Sequence, residues 1–150
     1  MSVEFDVADL VPHSGTMSLL SRITAYGEDW LEAEVDIHES SLFAEADGVP
    51  AWVGLEYLAQ TIAAYAGLQE RKKHATPKIG FLLGTRRYEV SQPFFASGLT
   101  LIIRVRREMV ADNGLHVFQG CLTGHQVEAT ANLNVFQPED ATAFMKEAKL

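Results

Sequence analysis

The feature that most constrains the fold is one helical segment that begins at Pro50 and runs uninterrupted to about Lys73. Proline suits the first turn of a helix, where its missing N–H is not needed, and no second proline follows before Lys73. Apolar residues recur along the segment at helical spacing: Leu55, Leu58, Ala59, Ile62 and Ala66. A helix that is apolar on nearly every side has to be wrapped by the rest of the chain.

Two polar residues, Glu56 and Gln60, interrupt this apolar surround one helical turn apart and on the same side. A buried glutamate is rare unless it is paired or takes part in chemistry, and burial would raise its pKa. The structural interpretation is that the two side chains satisfy one another in the core or at a dimer seam. An apolar pair would pack there at a smaller desolvation cost, so we favour a functional role for Glu56.

The composition suits one domain, residues 1–150, with a sizeable core, since 47% of the residues are hydrophobic. The net charge of −8 argues against a general nucleic-acid binder. A single cysteine, Cys121, excludes an intrachain disulfide and a cysteine-based zinc site. With no signal-peptide pattern and no long apolar run, we expect a cytoplasmic protein without a membrane span. No metal, nucleotide or flavin motif is visible, so no cofactor is expected.

Nine of the twelve basic residues lie between positions 71 and 107. The structural interpretation places them on solvated strand faces and at a helix end, where cations favour the C-terminal dipole. The functional interpretation is a positive patch that docks an acidic partner on an otherwise acidic protein.

The remainder of the chain shows the two-residue alternation of β-strands. Strands are predicted at residues 18–26, 31–38, 79–90, 99–106, 116–123 and 128–136, with a hairpin turn at Asp112-Asn113-Gly114 and a short helix after Pro138. Strand, strand, long helix and four strands indicate an α+β fold, an antiparallel sheet curled around one helix. Such a sheet leaves edge strands, so we expect a dimer that continues the sheet.

Three stretches, in this order, resemble the hotdog fold and within it the 3-hydroxyacyl-(acyl carrier protein) dehydratases. Residues 10–20 are similar to the family's L-P-H-R-x-P-M/F-L-L opening, and residues 50–60 to its P-G-V-L-x-x-E-A-M-A-Q helix start. Residues 81–105, and residues 93–98 above all, are similar to its R-P-V-x-P-G-D passage between strands. The helix start Pro-Ala-Trp-Val-Gly-Leu-Glu most resembles the divergent dehydratase-like subfamily of aryl-polyene biosynthesis clusters.

The sequence departs from the family pattern at two places. The family carries its catalytic histidine in G-H-F-P, fourteen residues before the glutamate, where this chain has Leu42. Residues 40–49 contain no histidine at all. Ala51 also replaces a glycine of the family, although a backbone N–H there survives the change.

The resemblance implies a lyase acting on 3-hydroxyacyl chains borne by the phosphopantetheine arm of an acyl carrier protein. Glu56 would be the acid that protonates the departing hydroxyl, and Gln60 would orient it. The N-terminus of the helix would hold the thioester carbonyl, with Ala51, Trp52 and Gly54 as further substrate-binding residues. The basic residues proposed to dock the carrier are Arg71, Lys72, Lys73, Arg86 and Arg87.

The source of the catalytic base stays open at this point. His13 is the leading candidate within the chain, because the resemblance puts its loop near the substrate entrance. The alternative is a histidine from a partner hotdog subunit in a heterodimer, which would leave a homodimer weak or inactive. Two other functions also remain: an acyl thioesterase whose carboxylate activates water or attacks the thioester, and a non-catalytic hotdog subunit that binds acyl chains or stabilises a partner.

Overall fold

A computed structural model of the chain describes residues 18–72 and 81–136, with only the backbone described at residues 70–72, 81–83 and 86. In chain order the elements are β1 (Arg22–Tyr26), β2 (Trp30–Asp36), β3 (Val49–Pro50), a 3-10 turn (Ala51–Val53), helix α1 (Gly54–Lys72), β4 (Phe81–Val90), β5 (Phe94–Phe95), β6 (Thr100–Val110), β7 (Leu115–Gly124) and β8 (Val127–Phe136). Six of the strands form one antiparallel sheet in the order β1-β2-β6-β7-β8-β4, and β3 pairs separately with β5. The predicted α+β architecture is confirmed.

The core lies between α1 and the inner face of the sheet. Strand β2 alternates between buried apolar and partly exposed polar residues, as the sequence pattern predicts. Leu31, Ile103 and Leu133 from three different strands are completely buried, together with Leu58 and Leu68 of the helix. Each such side chain contributes about 1.5–3 kcal/mol relative to exposure. The wrapped helix inferred from its apolar circumference is therefore observed.

Several element boundaries differ from the sequence prediction. β1 begins at Arg22, since residues 18–21 precede the regular ladder, and β6 extends to Val110. The hairpin turn between β6 and β7 is confirmed: Gly114 has a positive φ of 92°, and the Leu115 N–H donates to Asn113 Oδ1 at 3.1 Å. The two-residue strands β3 and β5 were not predicted, because two residues are too few to show a period. Residues 79–80 and the helix after Pro138 lie outside the described residues.

The edges of the described sheet are β1 and β4. The pairing of β4 with β8 is interrupted between Leu82 and Gly84 and again between Thr85 and Arg87. Such irregularities are common at sheet edges, where they limit uncontrolled pairing. A dimer that continues the sheet stays a prediction. In the part of the chain that the structure describes, no helix is long and apolar enough to cross a membrane.

Candidate active site at the start of helix α1

The start of α1 is anchored to the segment that connects β4 to β6. Val49 and Pro50 pair with Phe95 and Phe94, and the Ala51 N–H donates to the carbonyl oxygen of Pro93 at 2.9 Å. Pro50 therefore ends a short strand rather than opening the helix, and the 3-10 turn follows it. The Ala51 N–H, which the sequence suggested as a substrate donor, is occupied by this contact.

The carbonyl oxygen of Ala51 is held from the sheet by Tyr88, whose hydroxyl donates to it at 2.6 Å. The N–H of Gly54 donates to the same oxygen from within the turn. Burial raises the pKa of Tyr88 to about 12, so its hydroxyl keeps its proton at neutral pH. Gly54 is buried, and a Cβ added there would lie 2.3 Å from the Tyr88 hydroxyl. The structure thus makes Gly54 a packing position facing the core.

Trp52 offers the next main-chain donor of the turn. No hydrogen bond to its N–H is formed from any residue in the described ranges, as is usual for the first N–H groups of a helix. The Trp52 ring is 59% exposed and packs on Phe43 with ring centroids 5.2 Å apart. Phe43 has a positive φ of 69°, which is costly for a bulky side chain and typical of functional loops. An exposed aromatic pair therefore flanks the free donor.

The polar pair predicted on α1 is formed. Gln60 is completely buried, and its Oε1 accepts the Leu19 N–H at 2.9 Å. Because a backbone N–H can only donate, the amide oxygen must face Leu19 and the amide nitrogen must face the helix start. Gln60 Nε2 donates to Glu56 Oε1 at 3.2 Å. Glu56 itself is half-buried, and its carboxyl group is oriented by Gln60.

Replacing Gln60 with leucine should lower the free energy of unfolding by about 1–3 kcal/mol. The substitution keeps the volume but leaves the Leu19 N–H without its acceptor and Glu56 without the amide donor. Urea denaturation measures the loss. Gln69→Leu on the same helix is the matched control: its amide contacts the Glu28 carbonyl oxygen at 3.4 Å in an exposed position, so about 0.5 kcal/mol or less is expected. Equal shifts of the two midpoints would contradict the role of Gln60.

The candidate base His13 lies outside the described residues, as does Lys73 of the predicted carrier-docking residues. Three more of those residues, Arg71, Lys72 and Arg86, are described by backbone alone. Arg87 is exposed, and its guanidinium donates to Glu89 Oε1 through Nε at 3.0 Å and through Nη2 at 2.7 Å. Arg87 is thus held in an exposed ion pair, and its part in carrier docking stays a prediction.

A surface cavity of about 510 Å³ lies beside the loop that leads into the helix, and neither Glu56 nor Trp52 lines it. Its walls include the carboxylates Glu39, Glu45 and Asp47, which would repel a phosphate-bearing arm. In the described ranges, no cluster of three or more histidine, cysteine, aspartate or glutamate residues could hold a metal ion.

Sequence reasoning missed Tyr88 and Phe43. One signal was available for Tyr88: Gly54 stands inside a strong helix pattern, where glycine costs about 1 kcal/mol relative to alanine and often marks a close approach. No sequence signal pointed to the left-handed conformation of Phe43, because glycine, asparagine and aspartate are the residues that usually adopt it.

Comparisons with known structures agree with this architecture. A chain of the dehydratase heterocomplex ApeI:P from Xenorhabdus doucetiae superimposes with a TM-score of 0.88 and 25% identity, over 99% of this chain and 100% of that chain. A thioesterase from Haemophilus influenzae is similar with a TM-score of 0.55 and 18% identity, over 83% of this chain and 85% of that one. A conserved protein from Pseudomonas aeruginosa superimposes with a TM-score of 0.64 and 12% identity, over 87% of this chain and 97% of that one. The latter two share the fold alone, and the predicted hotdog fold is confirmed.

No curated protein matches the chain significantly. A family model described as ApeP-like, ApeP dehydratase, does match it, from residue 5 to residue 146. That match includes the anchored turn, the Glu56–Gln60 pair and the strand that carries Tyr88. The likeness to dehydratases predicted from three short motifs is confirmed along almost the entire sequence, and the chain belongs to the ApeP-like dehydratase family.

Proposed function

We propose that this chain is one subunit of a lyase that dehydrates 3-hydroxyacyl thioesters carried by an acyl carrier protein, as in fatty-acid or aryl-polyene biosynthesis. The observation that carries the proposal is the Glu56 carboxyl group, oriented by a completely buried Gln60 beside the unoccupied N–H of Trp52. An acid and a donor for a carbonyl oxygen, one helical turn apart, are what this elimination needs. The phosphopantetheine arm would enter only as part of the substrate.

The proposed reaction has three coordinated parts. A base removes the proton at C2, next to the thioester carbonyl, and the negative charge develops on the carbonyl oxygen. The Trp52 N–H and the positive end of the helix dipole stabilise that oxygen. Glu56 then protonates the 3-hydroxyl, which leaves as water while the C2–C3 double bond forms.

The base is proposed to come from a second hotdog subunit. The described loop between β2 and β3 carries no histidine at residues 40–49, and His38 at its start is exposed. The similar chain from Xenorhabdus doucetiae belongs to a dehydratase heterocomplex, which supports a heteromeric assembly here. His13 is the alternative source of the base within the chain.

Reconstitution tests the proposed function. Three mixtures are prepared with a 3-hydroxyacyl-carrier substrate. The first contains this chain by itself, the second contains only a partner hotdog subunit that carries the G-H-F-P histidine, and the third contains both subunits. Enoyl thioester is expected only in the mixture that contains both subunits. Turnover by this chain alone that equals turnover by both subunits together would overturn the shared site. A His13→Ala variant would then test whether His13 is the base. Thiol release without dehydration would indicate a thioesterase, and no turnover in any mixture would indicate a non-catalytic subunit.

The carrier itself is the proposed acidic partner. Arg87 forms an exposed ion pair with Glu89, and a pair of this kind is worth at most about 1 kcal/mol, so it does not withhold Arg87 from a carrier. Docking is proposed to depend on Arg71, Lys72, Lys73, Arg86 and Arg87 together with the partner subunit. Comparing the carrier-borne substrate with the same acyl group on free pantetheine, at low and high salt, isolates this contribution.

A further inference from the structure

We propose that Tyr88 is a positioning residue of the thioester site: by holding the Ala51 carbonyl, it aims the Trp52 N–H at the substrate oxygen. The inference deepens the proposed dehydratase function and rests on it. Tyr88 belongs to edge strand β4, and it reaches a residue 37 positions earlier in the chain. Its hydroxyl oxygen lies 2.6 Å from Ala51 O, which is near the short end of the usual O–H···O hydrogen-bond distances.

The argument depends on the planarity of the peptide group. The Ala51 C=O and the Trp52 N–H belong to one trans peptide unit, so the two bonds point in opposite directions. A bond that fixes the carbonyl direction therefore fixes the N–H direction as well. With the carbonyl turned toward Tyr88 and the core, the Trp52 N–H is turned away from the core. The side chain of Tyr88 thus sets the aim of a donor that it never touches.

Gly54 supplies the room that this arrangement needs. A Cβ at this position would lie 2.3 Å from the Tyr88 hydroxyl and 3.2 Å from Cζ of Phe95. Any side chain at position 54 would therefore push the phenol away from Ala51. The Gly54 N–H also donates to Ala51 O, in a bond that it shares with Trp52 O, so both lone pairs of the Ala51 carbonyl are used. Two donors from different elements leave the peptide unit little freedom to rotate.

The buried environment keeps the Tyr88 hydroxyl protonated, and so a donor, at neutral pH. Burial raises the pKa of Tyr88 to about 12. The pKa of the neighbouring Tyr57 is also raised to about 12, mainly by burial and to a smaller extent by the charge that Tyr88 would carry. A phenolate would repel the carbonyl oxygen, whereas the neutral phenol holds it. The aim of the Trp52 N–H is therefore independent of pH across the range in which the enzyme would work.

The test compares Tyr88→Phe with Tyr65→Phe in the assembled complex. Tyr65 is a matched control, since its hydroxyl donates to the backbone carbonyl of Glu28 at 2.8 Å toward the other end of the same helix. We expect Tyr88→Phe to lower kcat about tenfold with KM nearly unchanged, because the aimed donor acts on developing charge. Tyr65→Phe should leave kcat unchanged. Equal kcat values for Tyr88→Phe and the unaltered chain would overturn the proposal.

Gly54→Ala provides a second, independent route to the same site. We expect it to lower both stability and kcat, because the added Cβ displaces the Tyr88 hydroxyl. Adding Tyr88→Phe to Gly54→Ala should restore part of the lost stability, since the 2.3 Å contact disappears while the tight contacts with Phe95 and Leu122 stay, but it should leave kcat low. A double variant that recovered kcat along with stability would show that Tyr88 matters only for packing.

A readout without turnover separates this inference from the proposed function. The backbone amide resonance of Trp52 is followed while a 3-hydroxyacyl-pantetheine amide, a stable analogue of the thioester, is added. We expect a downfield shift of the amide proton that is clearly reduced in Tyr88→Phe and retained in Tyr65→Phe. This result can appear even if reconstitution shows no dehydration. A Trp52 resonance that does not respond, or responds equally in both variants, would contradict the positioning role.

Discussion

Glu56→Gln should reduce dehydration by the assembled pair roughly 10²–10⁴-fold while leaving assembly intact. The amide has the size of the carboxyl group and can still accept from Gln60, but it cannot deliver a proton. The measurement is the rate of enoyl-thioester formation, with the oligomeric state followed by light scattering. Glu108→Gln on β6 is the matched control, because Glu108 is exposed and should change neither quantity.

Glu56→Asp sharpens this prediction. Aspartate keeps the acid but withdraws it by one methylene from the substrate and from Gln60, so an activity between those of the glutamine variant and the unaltered chain is expected. Full activity in Glu56→Gln would mean that another group protonates the leaving hydroxyl. Loss of assembly in Glu56→Gln would instead make Glu56 a structural residue of the seam, which is the interpretation that the sequence left open.

The long elements of this fold could be predicted because each repeats a period often enough to be recognised. Helix α1 shows an apolar circumference over 19 residues, and β2 alternates without exception over seven. The Glu56–Gln60 contact was also predictable, since residues four apart on a helix are neighbours. What the sequence could not reveal is that Gln60 also bonds to Leu19, 41 positions away.

The details that govern the chemistry depend on such long-range contacts. The Ala51 N–H looked available because a helix start leaves its first donors free, but Pro93 occupies it through a pairing of two-residue strands. The Tyr88 hydroxyl reaches the same residue from the sheet. The two side chains of the predicted pair also differ in exposure, since Gln60 is completely buried and Glu56 is half-buried. The unoccupied main-chain donor at the helix start is therefore the N–H of Trp52 and not that of Ala51.

Gly48→Ala should cause the second large effect, a loss of about 3 kcal/mol in the free energy of unfolding. Gly48 has a φ of 117°, a conformation that a side chain strains, and it forms a two-bond bridge with Glu45. An added Cβ would also lie 2.2 Å from the backbone oxygen of Phe95, which cannot move without disturbing β5. Strain and a backbone clash therefore act together. Urea denaturation at neutral pH measures the loss.

Gly98→Ala separates the two causes. Gly98 has a similar φ of 95°, but no atom lies within 4 Å of an added Cβ, so only the conformational strain of about 1 kcal/mol is expected. The difference between the two variants then measures the contact between Gly48 and β5. Because β5 pairs with β3, which leads into the turn Ala51–Val53, Gly48→Ala should also lower the activity of the complex, whereas Gly98→Ala should not. Equal losses of stability would show that the backbone at Phe95 yields freely, and the anchoring of the helix start would then need another explanation.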